Sequence, residues 1–284
     1  MEFRKMKVIH LSTSNIGGGA PRAVSRIHKA LLTNSIDSEI WVNHKNDIDY
    51  SVTGPSNKVI KYYNKLKFYL SRLFVKLLRT ENKVLHSPQL FPSFFWIKLI
   101  NNSDADIVHL HWFQHEMLSI SDIKKIKKPL IWTLHDMWAF CGAEHLANDD
   151  RWRLGYDKVG RSEDCFGLDI NRWTWSRKRL AWLKPIEIVP PSRWLGSCVR
   201  ESALMKSWPV SVIPNCIDTG FWKPVCIQSA RKRLRIREDK LIIVVGSNRE
   251  NDAPHKGIDL LMLALRCLYE YTNQLELLVI GQSK

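Results

Sequence analysis

A run of three glycines, Gly17, Gly18 and Gly19, has the composition and position that phosphate binding requires. The run follows an apolar segment and precedes Ala20-Pro21, and proline suits the first turn of a helix. Glycines between a strand and a helix expose backbone N–H groups beside the positive helix end, where a phosphate binds. The run does not match GxGxxG, and a tight turn needs the same glycines, so both interpretations stay open.

His135 and Asp136 form a second candidate group, within Thr133-Leu134-His135-Asp136-Met137-Trp138. They follow a predicted strand, and open α/β sheets bind ligands outside the carboxyl ends of their strands. A histidine there can hydrogen-bond a substrate hydroxyl, and Asp136 can orient the histidine or a bound water. A purely structural His-Asp turn is the alternative.

Several histidines and cysteines invite a metal interpretation, namely His109, His111 and His115, with Cys141, His145 and Cys165 further along. His109 and His111 would project from one face of a strand. Zinc sites need about four convergent ligands, and no spacing in this chain matches a known arrangement. We therefore expect no metal, and histidines that line a cleft at the strand ends instead.

Arg249 and the segment His255-Lys256-Gly257 lie after one predicted strand and before a predicted helix. A basic pair in that position can neutralise a diphosphate. The alternative is a charged loop in solvent.

The order of predicted elements would position these groups at one edge of a sheet. A strand over 7–13, the glycine turn, a helix from Val24 to Leu31 and a strand over 39–43 form a unit typical of doubly wound α/β folds. Further strands are predicted over 106–112, 129–135, 187–190 and 210–214, and helices over 121–125, 175–183 and 193–205. The segment 137–173 lacks periodicity, which indicates a functional loop or a folded insertion. Nine of the twelve tryptophans lie between Trp132 and Trp222, and this cluster predicts an aromatic core or a binding cleft.

The chain is predicted to contain one complete domain and the beginning of another. We expect an N-terminal Rossmann-like domain over 1–218 and an irregular, basic linker over 219–239. Strands over 240–246 and 275–281 with a helix over 257–271 would then begin a second domain, 240–284. About 45 residues are too few for an independent core, so we expect this second domain to be truncated.

The segment Lys58 to Arg79 is predicted to be an amphipathic helix with an apolar stripe and a basic face, and it contains no acidic residue. One interpretation is a surface helix that packs on its own domain. The other is a helix that lies on an anionic membrane surface, where each basic residue contributes about 1 kcal/mol.

The overall charge and the cysteines narrow the class of protein. Lys and Arg exceed Asp and Glu by 43 to 28, a net charge of +15, which favours anionic partners. No apolar run approaches the roughly 18 residues that cross a bilayer, and the first residues do not resemble a signal peptide. The six cysteines are scattered, as in reduced cytosolic proteins. We expect a cytoplasmic protein, with peripheral contact at the inner face of the membrane as an alternative.

Six segments occur together in a fixed order, and their combination is specific. They are the glycine turn 17–19, Asp-Ile-Val-His-Leu-His-Trp at 106–112, Trp-Thr-Leu-His-Asp-Met-Trp at 132–138, Pro-Ser-Arg-Trp-Leu at 191–195, Val-Ile-Pro-Asn-Cys-Ile-Asp-Thr at 212–219 and His-Lys-Gly-Ile-Asp-Leu-Leu at 255–261. Over nearly the whole chain this order resembles the family 4 retaining glycosyltransferases, most of all the colanic-acid-type exopolysaccharide transferases of bacteria.

The resemblance implies an α/β fold of the GT-B type, with two Rossmann-like domains, and glycosyl transfer with retention. It implies that Gly17 to Gly19 approach the donor diphosphate and that His135 contacts the donor sugar near the reacting carbon. Arg249 and Lys256 would stabilise the departing nucleoside diphosphate. His111, Trp112 and Asp136 are expected on the acceptor side. The family uses no metal, no cofactor and no covalent protein nucleophile, since the nucleotide-sugar is a substrate.

Two departures from the family pattern qualify the functional expectation. Cys216 stands where the family has glycine, and a cysteine adopts a positive φ less easily. The family's later Glu-x7-Glu segment would fall beyond Lys284. We therefore expect a nucleotide-sugar glycosyltransferase that acts on a glycan or lipid-linked acceptor in bacterial surface polysaccharide synthesis and is inactive at this length. A non-catalytic remnant that binds an acceptor or a partner is the alternative, and nucleic acid is not an expected partner because no recognised module is present.

Overall fold

The computed structural model describes residues 4–46, 49–80, 82–158, 160–163, 165–247, 256–271 and 273–281. The chain divides into two compact units, Met1–Ile217 and Asp218–Lys284. In the first unit the strands are β1 (Lys7–Ser14), β2 (Asp37–His44), β3 (Val52–Thr53), β4 (Leu78–Arg79), β5 (Ile107–Leu110), β6 (Leu130–Thr133), β7 (Phe166–Gly167) and β8 (Glu187–Val189). Its helices are α1 (Gly19–Thr33), α2 (Lys58–Val75), α3 (Phe94–Asn101), α4 (Ile120–Ile123), α5 (Arg151–Leu154), α6 (Ile170–Ala181) and α7 (Arg193–Glu201).

Six of these strands form a parallel sheet in the order β3-β2-β1-β5-β6-β8. After β1 the chain adds β2 and β3 on one side of that strand. It then returns and adds β5, β6 and β8 on the other side. This is the Rossmann strand order, and ligands bind where that order reverses, outside the carboxyl ends of the strands. The predicted doubly wound arrangement is therefore present, and the reversal lies between β1 and β5.

The central strands are buried on both faces, because helices cover a parallel sheet from both sides. Six consecutive residues of β1, from Val8 to Thr13, are buried. The predicted strand over 210–214 is reduced to a single bridge between Val210 and Ile188.

Most of the tryptophans in the predicted aromatic region belong to the core. Trp132, Trp138 and Trp182 contact one another, with ring centroids 5.3 to 6.3 Å apart. Trp152, Trp175 and Trp208 join the same cluster. Of the two interpretations of this region, the aromatic core is the one that these residues support.

The segment after β6 is a folded insertion. β4 and β7 pair antiparallel, and Phe140, Cys141 and Trp152 are buried in the main core. Lys178 of α6 is fully buried and donates hydrogen bonds from Nζ to the carbonyls of Trp138, Cys141 (3.0 Å) and Gly142 (2.6 Å). One lysine thus ties the chain that follows His135 to α6.

α2 is a helix, as predicted, but it does not pack through its apolar stripe. Its buried residues are Asn64, Lys67 and Ser71, whereas Val59 is 73% and Leu73 is 62% exposed. Asn64 Nδ2 donates to Asn43 Oδ1 (3.1 Å), and Lys67 Nζ donates to the carbonyl of Glu116 (2.9 Å). The helix therefore packs on its own domain, as one interpretation predicted, although it does so through these polar residues and not through the stripe. The polar residues face inward and most of the stripe faces outward.

The second unit contains α8 (Ile227–Leu234), β9 (Leu241–Ser247), α9 (Ile258–Cys267) and β10 (Leu275–Gly281), with a 3-10 turn at Tyr269–Tyr271. β9 and β10 pair in parallel. The predicted linker is not irregular throughout, because α8 occupies its middle, and Arg231 of α8 donates to the carbonyl of Lys240 (2.9 Å). Among the helices that the structure describes, none is long and apolar enough to cross a bilayer.

Candidate functional site

A pocket of about 480 Å³ opens at the carboxyl ends of β1, β2, β5 and β6, on both sides of the point where the strand order reverses. This is the position at which doubly wound sheets bind ligands. We call it the glycine–histidine pocket. Its lining residues are Thr13, Ser14, Gly17, Gly18, Gly19, Ala20, Pro21, His44, Trp112, His115, His135 and Asp136.

The glycine loop reaches this pocket in a conformation that needs glycine. Gly17 and Gly18 both have φ 79°, and Gly18 combines it with ψ −178°, a region that is essentially restricted to glycine. Gly18 is the residue that caps α1, and the first turn of this helix contains no acidic residue. The first N–H groups of a helix lack partners within the helix and carry partial positive charge. The loop can therefore bind an anionic group such as a phosphate.

His135 is the last of three imidazoles that form a hydrogen-bonded row into the core. Its Nε2 lies 3.2 Å from His111 Nδ1, and His111 Nε2 lies 3.0 Å from His10 Nδ1. His10 and His111 are buried. Because Nε2 is occupied by His111, Nδ1 is the His135 ring nitrogen left for a ligand.

Burial keeps these histidines neutral near pH 7. It lowers the pKa of His135 to about 4, with a smaller opposing effect of the Asp136 carboxylate. Burial also lowers the pKa of His109 to about 4, and it lowers the pKa values of His10 and His111 well below the usual range, with neighbouring histidines acting in the same direction. His135 is therefore a neutral hydrogen-bonding group rather than an acid or base poised near neutral pH.

Neutrality couples the two hydrogen bonds of the row. A neutral imidazole has one N–H, so if His111 donates to His135 through Nδ1, its Nε2 must accept from His10. In the opposite direction His10 would carry its proton on Nε2, which is buried and has no partner among the described residues. Buried N–H groups without an acceptor are rare. The favoured direction therefore runs from His10 to His135 and leaves His135 with an Nδ1–H donor.

Asp136 is held by three donors at the edge of the pocket. It accepts hydrogen bonds from His145 Nδ1 (2.6 Å), Trp112 Nε1 (2.9 Å) and the backbone N–H of Trp138 (3.0 Å). Burial opposes ionisation, but these partners together keep its pKa below the usual range. Asp136 thereby fixes the Trp112 ring on the pocket wall and shapes the turn after β6.

The structure brings together most, but not all, of the residues predicted for the site. Gly17 to Gly19, Trp112, His135 and Asp136 line one pocket. His111 was expected to face the acceptor, but it is 1% exposed and lies behind His135. Because His135 separates it from the pocket, its contacts here are with imidazoles. Lys256 is an exposed residue of the second unit, and Arg249 lies outside the described residues.

Sequence reasoning missed His10 and His44, and it considered His115 only as a metal candidate. His10 interrupts the apolar run of β1, and this polar residue in a buried strand is the signal that would have found it. His115 and Glu116 both have positive φ, 58° and 62°, although neither is glycine. Consecutive non-glycine residues in this region are costly and concentrate at functional sites.

Three ring nitrogens, from His10, His109 and His111, lie within 4.8 Å of one another. Imidazoles are donors that zinc accepts, but the sequence had suggested a different trio, with His115 in place of His10. His10 and His111 are hydrogen-bonded to each other, and His109 Nε2 is bonded to Thr133 Oγ1 (2.8 Å). The expectation that the protein binds no metal stays a prediction.

With this geometry established, comparison with known proteins identifies the family. Residues 17–221 match the sequence family described as Glycosyltransferase Family 4. The chain belongs to glycosyltransferase family 4. The matched region includes the glycine loop, Trp112, His135 and Asp136, so most of the residues that line the pocket lie within it.

Two solved structures are similar to this family 4 chain in fold. A sucrose-phosphate synthase from Thermosynechococcus elongatus gives a TM-score of 0.60 at 15% identity, covering 99% of this chain and 63% of that one. WaaG, a glycosyltransferase involved in lipopolysaccharide biosynthesis, gives 0.53 at 13% identity, covering 98% and 64%. The predicted fold class, α/β of the GT-B type, is confirmed. The chain spans less than two thirds of the length of either structure. No protein with curated annotation matches it in sequence.

Proposed function

We propose that this protein transfers a sugar, with retention, from a nucleotide-sugar donor to a glycan or lipid-linked acceptor in bacterial surface polysaccharide synthesis, as in the colanic-acid-type transferases. The observation that carries the proposal is the glycine–histidine pocket itself. A phosphate-binding loop at Gly17 to Gly19 and the donor nitrogen of His135 lie in one pocket where the strand order reverses.

Each candidate group has a defined task in this proposal, and the tasks of Arg249 and Lys256 come from the family resemblance alone. The donor diphosphate binds at the glycine loop and the N-terminus of α1, where N–H groups and the helix dipole favour negative charge. His135 donates from Nδ1 to a hydroxyl of the donor sugar. Arg249 and Lys256 are assigned to the leaving nucleoside diphosphate. Stabilising the charge that develops on this diphosphate supplies much of the rate, without a metal or a covalent protein intermediate.

The experiment compares sugar transfer and donor hydrolysis with and without His135→Gln, in a version of the protein that is extended by a complete second domain from a relative, with a panel of nucleotide-sugars. Loss of one hydrogen bond to the reacting sugar should reduce kcat/KM by about tenfold to a hundredfold. His86→Gln is the matched control, since this half-buried histidine donates from Nδ1 to the carbonyl of Val84 and lies outside the pocket. Full activity of His135→Gln, or no turnover with any donor, would contradict the proposal.

The proposal includes inactivity of the 284-residue chain, because the family resemblance assigns donor-binding carboxylates to a later segment. The test compares donor turnover by this chain with that of a version extended by a complete second domain from a relative. Turnover from the longer version alone supports the assignment. Turnover from neither, with an acceptor or protein partner still bound, would favour the alternative of a non-catalytic binding protein.

The orientation of α2 supports a second part of the proposal, peripheral binding to an anionic membrane. Its exposed side carries apolar residues, among them Val59, Leu66 and Leu73, together with lysines and an arginine. No acidic residue lies between 58 and 79. An apolar face flanked by basic residues matches an interface with anionic headgroups, where each base contributes about 1 kcal/mol.

Co-sedimentation with vesicles tests this contact. The protein should bind vesicles containing about 30% anionic phospholipid and lose most of that binding in neutral vesicles or high salt. Leu66→Ser with Leu73→Ser should weaken binding about tenfold, because two apolar side chains leave the interface. Leu154→Ser with Leu180→Ser is the matched control, since both leucines are exposed elsewhere on the first unit. Equal loss in the two double variants would overturn the assignment to α2.

A further inference from the structure

A second cavity, of about 490 Å³, lies between the end of β2 and one side of α2. We call it the lysine pocket, after Lys45, Lys61 and Lys65 in its wall. His44 and His115 line both this cavity and the glycine–histidine pocket. The two cavities are therefore adjacent, with His44 and His115 in the wall of both.

The lysine pocket is positively charged. Lys61 and Lys65 are one helical turn apart, so their side chains lie on the same side of α2. Lys45 Nζ is fixed by the carbonyls of Asp49 and Val52, each 2.7 Å away. Among the described lining residues none is acidic. Three ammonium groups around a cavity without a carboxylate favour an anionic ligand.

A buried amide with an unpaired donor lies in the wall of the same cavity. Asn43 lines the pocket and is 4% exposed. Trp96 Nε1, which can only donate, lies 2.7 Å from Asn43 Oδ1, and this fixes the orientation of the amide. Its Nδ2 is buried and has no hydrogen-bond partner in the described part of the chain. An unpaired buried donor is costly, and a ligand oxygen would remove that cost.

Aromatic rings supply the remaining wall and the connection to the first pocket. Phe68 packs against His115 at 4.8 Å between ring centroids, and His115 packs against Trp112 at 4.6 Å. Lys65 Nζ lies 6.0 Å from the centre of the Tyr69 ring. Burial lowers the pKa of His115 to about 4, so this shared residue is neutral and places no charge between the two cavities. Ring faces beside cationic groups suit a sugar that carries a charged substituent.

We infer that the lysine pocket binds a phosphate or diphosphate group of the acceptor, so that the acceptor is a phosphorylated or diphosphate-linked glycan. This assignment rests on the proposed transfer function and specifies its acceptor. The acceptor hydroxyl would lie in the glycine–histidine pocket while its anionic group contacts Lys61, Lys65 and the Asn43 amide. Both a soluble sugar phosphate and a lipid-linked diphosphate have this chemistry.

The test is calorimetric binding with a matched pair of double variants. Lys61→Gln with Lys65→Gln removes two charges from the pocket, and Lys58→Gln with Lys76→Gln removes two from the same helix outside it. The probes are a soluble sugar 1-phosphate, its unphosphorylated sugar, and a polyprenyl diphosphate in neutral vesicles. The first variant should weaken binding of the phosphorylated probes about tenfold or more, and the control less than about twofold.

The pattern of results separates the subsite from the transfer function. Loss with both phosphorylated probes supports the pocket, and the probe that binds more tightly to the unchanged protein identifies the soluble or the lipid-linked source. Equal loss in both double variants, or equal binding of the phosphorylated and unphosphorylated sugars, would overturn the inference. Binding that depends on Lys61 and Lys65 without turnover in any transfer assay would leave the subsite standing and contradict the proposed reaction.

Discussion

Gly18 and Gly19 are neighbours in sequence with different backbone requirements. Gly18 has φ 79° and ψ −178°, whereas Gly19 begins α1, and a Cβ at either position would have no heavy atom within 4 Å. Gly18→Ala should therefore cost about 1 to 3 kcal/mol through backbone strain alone, rearranging the loop and weakening donor binding. Gly19→Ala is the control and should be neutral or slightly stabilising. Thermal unfolding and donor titration of both variants measure the difference, and equal behaviour would exclude the strain argument.

The row from His10 to His135 predicts a specific tautomer at the pocket. In the unchanged protein, nitrogen-detected NMR should find the His135 proton on Nδ1, because the row donates outward. His10→Leu should remove this bias, while His10→Asn should retain it, since an asparagine Nδ2 can replace the Nδ1–H of histidine. A proton on His135 Nε2 in the unchanged protein would show that the row runs in the opposite direction.

For individual residues, the sequence indicated a position in the site only where the residue directly follows a predicted strand. The glycine loop and His135 follow predicted strands, so the rule for ligand sites in open sheets placed them together correctly. His10 and Asn43 also lie in predicted strands, but the local pattern did not reveal their contacts. The partner of His10 is 101 residues away along the chain, and the partners of Asn43 are 21 and 53 residues away. His111 lies at the predicted strand end, but it is buried behind His135 and does not line the pocket. Strand alternation indicates the face of the sheet on which a side chain lies, and it does not indicate which of two side chains is nearer to the pocket.

Among the elements, the connection between the chain after β6 and α6 depends on Lys178. Lys178→Met preserves the length and apolar contacts of the side chain but leaves the carbonyls of Trp138, Cys141 and Gly142 without their donor. We expect a loss of about 3 kcal/mol in the free energy of unfolding, measured by urea denaturation, because buried acceptors lose their partner. Lys184→Met, at an exposed position, should change stability by less than about 0.5 kcal/mol. Equal stability of the two variants would contradict the role of Lys178.

Element types followed from periodicity, but element orientation did not. The apolar run of β1 and the helical spacing in α1 and α2 predicted the correct structures, because these signals are local. The inward side of α2 is polar instead, through Asn64, Lys67 and Ser71, whose partners lie on β2 and near Glu116. A hydrophobic stripe indicates which side of a helix is shielded from water. It does not indicate whether the surface that covers this side belongs to the same domain or to a partner.

For the whole molecule, the buried histidines predict a dependence of stability on pH. The unfolded chain takes up protons near pH 6.5, whereas His109, His115 and His135 in the folded protein do so only near pH 4. Protonation therefore favours the unfolded state, and stability should be fully present above pH 6.5 and decrease as the pH falls towards 4. A decrease in pKa from 6.5 to about 4 corresponds to about 3 kcal/mol for one histidine.

Urea unfolding at pH 7.5, 6.0 and 5.0 measures this dependence in a range where carboxylates contribute little. His135→Gln should reduce the slope by about one proton, because one titrating group is removed. A pH-independent unfolding free energy between 7.5 and 5.0 would show that these imidazoles take up protons at the same pH in the folded and unfolded states.

The arrangement of the first unit was the most predictable property of the molecule. Alternating strands and helices restrict a chain to a few topologies, and the glycine turn after β1 selects the Rossmann order among them. The predicted end of the first domain at 218 and the predicted end of the linker at 239 remain predictions, although the division into two compact units falls after Ile217. Charge counting indicated an anionic partner without a location, because +15 is spread over the chain and only the fold collects Lys45, Lys61 and Lys65 around one cavity.

The indole of Trp112 gives the protein an optical reporter. Its Nε1 donates to Asp136, its ring packs against His115, and it lies on the wall of the glycine–histidine pocket, whereas Trp132, Trp138 and Trp182 are buried in the core. A ligand that displaces water from Trp112 shifts the emission of this residue and leaves the core tryptophans as an internal reference. The difference spectrum between the unchanged protein and Trp112→Phe therefore isolates occupancy of the pocket, in real time and without a label.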